Sequence, residues 1–177
     1  NDSIDGNLGN DSISGAEGND SLYGSSGKDT LNGGIGNDYI SGGEGTDTLI
    51  GGDGNDSFSG GTGSDLIQAG AGDDRVNYIS DSGDDTVYGG DGNDYVNYLN
   101  EEGNKLIYGE TGHDSLCGGN FNDTIDGGIG NDSIDGNLGN DSLFGEAGSN
   151  TLSGGAGNDV LVVVSAGNVL SGGAGSD

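Results

Sequence analysis

The sequence predicts an all-β fold: a parallel β-solenoid with two nine-residue units per coil and about nine to ten coils. Three observations predict it. A unit of the form G-x-x-G-x-D-x-U-x, with U apolar, recurs every nine residues almost from end to end. Fixed self-similarity of that period marks stacked repeats, each too small to bury an apolar face alone. Two positions of the unit are kept nearly without exception, the sixth as Asp and the eighth as an apolar side chain. The chain has 43 Gly and no Pro in 177 residues, and so much Gly makes helix unfavourable.

The units can be followed in order. They begin at residues 6, 15, 24, 33, 42, 51, 60, 69, 80, 89, 100, 109, 118, 127, 136, 145, 154, 163 and 172, and only the steps 69 to 80 and 89 to 100 are eleven residues long. Gly51-Gly52-Asp53-Gly54-Asn55-Asp56-Ser57-Phe58-Ser59 is a clean copy. The first six residues read as a turn. Gly at the first, second and fourth positions opens backbone angles closed to other residues and lets carbonyls converge. Asn at the fifth tolerates left-handed geometry. The last three residues read as a short strand with one inward side chain between two outward ones; in Ser21-Leu22-Tyr23 the inward one is Leu22. Such strands need partners, and equivalent strands stacked one coil apart supply them. Two units per coil then give two sheets facing across a layer of Ile and Leu, with a column of turns on each edge. At about 4.8 Å per layer the stack is roughly 45 Å tall.

Composition restricts what the chain can do. The formal charge is −28, from 31 acidic and 3 basic residues, and 28% of residues are hydrophobic. Without the repeat this would describe a self-repelling disordered polyanion. A surface this acidic excludes nucleic acid and anionic membranes as natural partners and favours cations. The longest apolar run, Val160 to Val164, is too short to span a bilayer. The chain begins and ends within repeats, which points to a longer array. The lone Cys117 rules out an internal disulfide framework, and with the lone His113 it makes no zinc site. His113 stands at the fifth position, in place of Asn, and Cys117 at the outward ninth. No constellation suits catalysis, so no enzyme activity is expected within the segment.

The sixth positions divide into two columns when units are numbered alternately. One carries Asp2, Asp20, Asp38, Asp56, Asp74, Asp94, Asp114 and Asp132, then Asn150 and Asn168. The other carries Asp11, Asp29, Asp47, Asp65 and Asp85, then Lys105, then Asp123, Asp141, Asp159 and Asp177. Carboxylates and free carbonyls are hard oxygens of the kind that calcium takes, six to eight at about 2.3–2.6 Å. Magnesium demands a tighter octahedron, and soft metals lack ligands here. An EF-hand would need a closing Glu in a twelve-residue loop between helices, and neither is present.

These units resemble the RTX, or haemolysin-type, calcium-binding nonapeptide repeats, whose signature is G-G-x-G-x-D-x-U-x. The resemblance covers nearly the whole chain. It implies a right-handed parallel β-roll with two repeats per coil and calcium between neighbouring turns, held by backbone carbonyls and by the sixth-position Asp of both turns. It also implies a module of proteins exported by bacteria: toxins, proteases, lipases, adhesins and surface-layer proteins. Seven adjacent Asp pairs on each edge set an upper expectation of about fourteen Ca2+ ions.

The irregular units carry expectations of their own. The chain reads as one array over 1–177, with widened coils around 75–108 and a degenerate C-terminal part around 145–171. Arg75-Val76-Asn77-Tyr78-Ile79 and Tyr95-Val96-Asn97-Tyr98-Leu99 are expected as lengthened strands that stack, Val76 on Val96 and Tyr78 on Tyr98. Lys105 either places its ammonium between Asp85 and Asp123 in place of calcium or points into solvent. Phe121 stands where Gly is expected. Asn150 and Asn168 remove charge from their sites, and Val160 to Val164 marks a broader strand, a cap or a contact with another molecule. The expected role is a calcium-dependent structural module, secreted or on the cell surface, that folds on reaching calcium. A filament, adhesin or surface-layer unit and the secretion module of an exported toxin or hydrolase are the alternatives.

Overall fold

The computed structural model describes residues 1–77 and 82–177. Among the described residues two wholly parallel sheets, of ten and nine strands, face each other across a narrow core. Successive strands alternate between the sheets, so each pairs with the strand one coil away. The step is eighteen residues in regular coils: Leu22 lies beside Ile40 and Leu31 beside Leu49. It is twenty where a coil is widened, as at Val76 beside Val96 and Val87 beside Ile107. The two-unit coil is therefore as the spacing predicts.

The eighth-position side chains form the core. Leu22, Leu31, Ile40, Leu49, Ile67, Val87, Ile107, Ile125 and Leu143 are fully buried, and Phe58 fits the same row. Their alternation with outward neighbours is the strand period at work. Each coil adds two such residues, so the apolar layer is one side chain thick.

The strands differ from expectation in length. Many run six or seven residues, as in Thr30–Ile35 and Tyr39–Gly45, and continue through the second and third positions of the following unit. Pairing skips the first-position glycine and resumes after it: Asn32 pairs with Ile50 and Gly34 with Gly52. The Gly-Gly-x segment is thus hydrogen-bonded to its equivalent one coil away, and the tight bend shrinks to the fourth to sixth positions.

The second long strand is also corrected. Tyr95–Asn97 has three residues. The added residues turn instead, with Asn97 Oδ1 accepting from the Leu99 amide at 3.0 Å and Tyr98 O accepting from the Glu101 amide at 2.9 Å. The strand's alternation points Tyr98 inward, and its side chain is fully buried. The expected Tyr78 partner and the rest of that first widened turn fall partly outside the described residues. The C-terminal apolar run gives a strand of ordinary length, Val160–Val162, with Val160, Val162 and Val164 exposed. Among the described residues no helix is long and apolar enough to cross a membrane.

Candidate metal centre

The sixth-position aspartates end each bend and start each strand. Their main-chain carbonyls accept from the strand one coil on, as Asp38 O does from the Ser57 amide at 2.8 Å. Their side chains turn back into the bend and are buried from Asp20 to Asp159. One oxygen, Oδ1, accepts from the amide of the aspartate one coil earlier: Asp38 N–H to Asp56 Oδ1 and Asp47 N–H to Asp65 Oδ1, both at 2.8 Å. The two columns of the sequence are therefore continuous columns in space.

The other oxygen, Oδ2, is buried without a hydrogen-bond partner in Asp20, Asp38, Asp56, Asp74, Asp94, Asp114 and Asp132 of one column. The same holds for Asp11, Asp29, Asp47, Asp65, Asp123, Asp141 and Asp159 of the other. Asp177 lies exposed in the last bend, its Oδ1 taken by the Asp159 amide at 3.0 Å. A buried carboxylate oxygen with no donor is costly, and repetition of the cost in bend after bend calls for a cation. The first-position glycines leave room for this oxygen: a Cβ on Gly24 would lie 2.5 Å from Asp29 Oδ2 and 2.5 Å from Gly42 O of the next coil. A carboxylate oxygen and a carbonyl from adjacent coils thus converge beside each such glycine.

Electrostatics agree. Burial pushes the carboxyls of Asp56, Asp65, Asp94 and Asp141 up to about 6, and those of Asp74, Asp114 and Asp123 to about 7. The amide donated to each works against the shift, and in most of these bends neighbouring column aspartates reinforce it. Asp47 and Asp132 move the same way. Among the described residues no three His, Cys, Asp or Glu side chains converge on a point. An ion here would need two aspartates plus backbone carbonyls, which suits calcium's preference for many oxygens and loose geometry.

Sequence matches a family model for the RTX calcium-binding nonapeptide repeat over residues 1–22, 14–49, 23–58, 50–78, 79–99, 101–125 and 126–161. The chain belongs to this RTX family. Its fold is the calcium-binding β-roll, a structural repeat domain. No curated protein matched the sequence.

Three sixth positions of the roll lack a carboxylate, and each supplies its own donor. Lys105 is buried, and its ammonium binds Asp85 Oδ2 at 2.8 Å, Gly83 O at 2.6 Å and Glu102 O at 2.8 Å. Among the described residues Asp85 is the buried column aspartate whose Oδ2 is satisfied in this way. The expected place between Asp85 and Asp123 is corrected in part: the ammonium hydrogen-bonds Asp85, while Asp123 Oδ1 accepts the Lys105 amide at 2.7 Å and feels the ammonium through its charge. Asn150 keeps the Oδ1 role toward the Asp132 amide at 2.7 Å and turns its NH2 to Gly145 O. Asn168 accepts the Asn150 amide at 2.6 Å and donates to Ser165 O at 2.7 Å.

The fifth position does something the sequence reading missed. Its side chain accepts the amide of the equivalent residue one coil on: Asn19 Oδ1 from Asn37, Asn37 Oδ1 from Asn55, both at 3.0 Å. Left-handed backbone falls on the second and fourth positions instead, as at Gly52 and Gly54. His113 joins this ladder as an acceptor, taking the Asn131 amide on Nδ1 at 2.9 Å. It replaces Asn, as its place in the unit suggests. Cys117 faces outward, half-buried, with its sulfur 3.0 Å from Asn137 Nδ2, and burial raises its thiol pKa.

Proposed function

We propose that this β-roll is a calcium-folded structural segment of a protein that works outside the cell, with ions held between successive bends of both columns. The ligands in this reading are the column aspartates from Asp11 to Asp177 other than Asp85, with main-chain carbonyls completing each shell. The observation that carries the reading is the run of buried, unpartnered Oδ2 atoms along both edges. The Lys105 ammonium marks where positive charge belongs. It joins the sixth-position Oδ2 and fourth-position carbonyl of one bend to the third-position carbonyl of the next coil. The corresponding atoms around Asp29 are its Oδ2, Gly27 O and Glu44 O.

Bound calcium supplies charge and hard coordination in place of missing donors. The chain's own groups do the rest: Oδ1 fixes each carboxylate to the preceding coil, and the glycines admit the carbonyls. Without the ion, buried carboxylates repel along each column, and a core one side chain thick cannot offset chain entropy. Binding then couples to folding. Where calcium is scarce, as before export, the segment is an acidic unfolded chain; where it is abundant, the coils stack. With Asp85 taken by Lys105, the Asp65–Asp85 pair drops out and the remaining Asp pairs set an upper number of about thirteen ions.

Equilibrium dialysis with metal analysis tests the ligand assignment. The wild-type chain should bind many calcium ions, and Asp65→Asn should lose one or two of them while remaining β-structured in excess calcium. An unchanged count for Asp65→Asn would remove the aspartate columns from the site.

A further inference from the structure

The buried ammonium of Lys105 has every donor filled and lies over an aromatic ring. Its three N–H groups go to Asp85 Oδ2, Gly83 O and Glu102 O, and it lies 4.5 Å over the centroid of the Tyr98 ring. Both partners of the ion pair are fully buried. A buried pair holds only when its remaining hydrogen bonds are made as well, and here three acceptors meet three donors. The inserted turn after Asn97 serves this geometry: it places the Glu102 carbonyl on the ammonium and the Tyr98 ring under it. The ion is covalently attached, so its local concentration does not depend on the medium.

We propose that Lys105 is a tethered cation that clamps the widened coils without metal and makes them the nucleus from which the calcium-dependent coils propagate. The proposal rests on the calcium reading for the regular coils and adds an exception at the widened ones. In a stacked repeat each coil contacts only its neighbours, so one pre-formed pair lowers the nucleation cost for growth in both directions. The clamp has stacked coils on both sides, so growth can run both ways. The bends at Asn150 and Asn168 satisfy themselves with neutral amides and have no ammonium joining one coil to the next.

Hydrogen exchange read by mass spectrometry on the whole chain tests this. In calcium-free buffer with chelator, wild-type peptides within 82–116 should retain protection while peptides within 12–62 exchange freely. Lys105→Met should lose the central protection by about a hundredfold or more, as expected when one member of a buried pair is removed. Lys105→Asp should also lose it in chelator, regain it with calcium and bind at least one ion more than wild type. Central protection absent from the wild type in chelator, or unchanged in Lys105→Met, would overturn the nucleus while leaving the calcium reading standing. Full protection of all coils in chelator would instead overturn the calcium reading, and the nucleus with it. Lys105→Met in saturating calcium should protect 12–62 as the wild type does, which separates loss of the clamp from a general failure to fold.

Discussion

Each column aspartate divides its role between two oxygens. Asp56 Oδ1 ties to the Asp38 amide, and Oδ2 is buried without a donor, which the proposed reading gives to calcium. Asp56→Asn keeps the first role and loses the charge of the second, as Asn150 does naturally. It should weaken calcium binding at the adjoining bends at least about tenfold, since loss of even an indirect ligand contact has that effect; calorimetric titration against wild type checks it. Acidity gives a second test. Burial lifts these carboxyls from 3.8 in the open chain to about 6 or 7 in the metal-free roll. The folded state therefore binds protons more tightly, so the stabilisation by protons is full below pH 3.8 and is lost as pH rises through 6 to 7. The metal-stripped chain should gain β signal in circular dichroism on going from pH 7.5 to 5, and its calcium affinity should fall over the same interval. A metal-free chain with more β structure at the higher pH would contradict the burial. The aspartates were legible because one residue type at one position repeats. The fifth-position ladder was not: Asn37 advertises turn chemistry in a sequence, and only stacking shows its oxygen accepting the amide of Asn55.

At the level of strands and bends, the regular spacing carries the architecture. Leu31 beside Leu49 and Ile40 beside Phe58 follow from counting by eighteen. Strand length did not follow, because Gly-Gly-x looks like a turn until its amides meet the next coil. The path after Asn97 was equally hidden, since five alternating residues, Tyr95 to Leu99, fit a strand as well as a turn. Bend glycines differ in what they tolerate. A Cβ on Gly63, at φ +120°, would lie 1.5 Å from the Gly45 carbonyl. Ala16, Ser25 and Glu110 hold positive φ at the second position, so a side chain can be accommodated there. Gly63→Ala should lower stability of the calcium-loaded roll by about 3 kcal/mol or more, beyond the usual cost of a strained residue. In the core, Ile67→Ala should cost about 2–5 kcal/mol. Thermal or denaturant unfolding in excess calcium measures both, and a neutral Gly63→Ala would show that the bends are looser than this packing.

Over the whole molecule, stability is a sum of thin layers. Each coil contributes two core side chains, a hydrogen-bonded layer in each sheet and, in most bends, a pair of acidic groups whose repulsion opposes the rest. The formal charge of −28 is tolerable in a stack only when something positive lies between the coils. Lys105 does this once by covalent attachment; in the proposed reading calcium does it at the remaining column aspartates. Folding should then depend steeply on calcium, because each new coil completes sites with the one below it. The most direct measurement is far-ultraviolet circular dichroism of the metal-stripped chain at pH 7.5, followed through addition of calcium and then of excess chelator. The account predicts a largely unordered spectrum at the start, a cooperative rise of β signal with calcium and its loss with chelator. A full β spectrum in a chain shown by metal analysis to hold less than about one ion would contradict it.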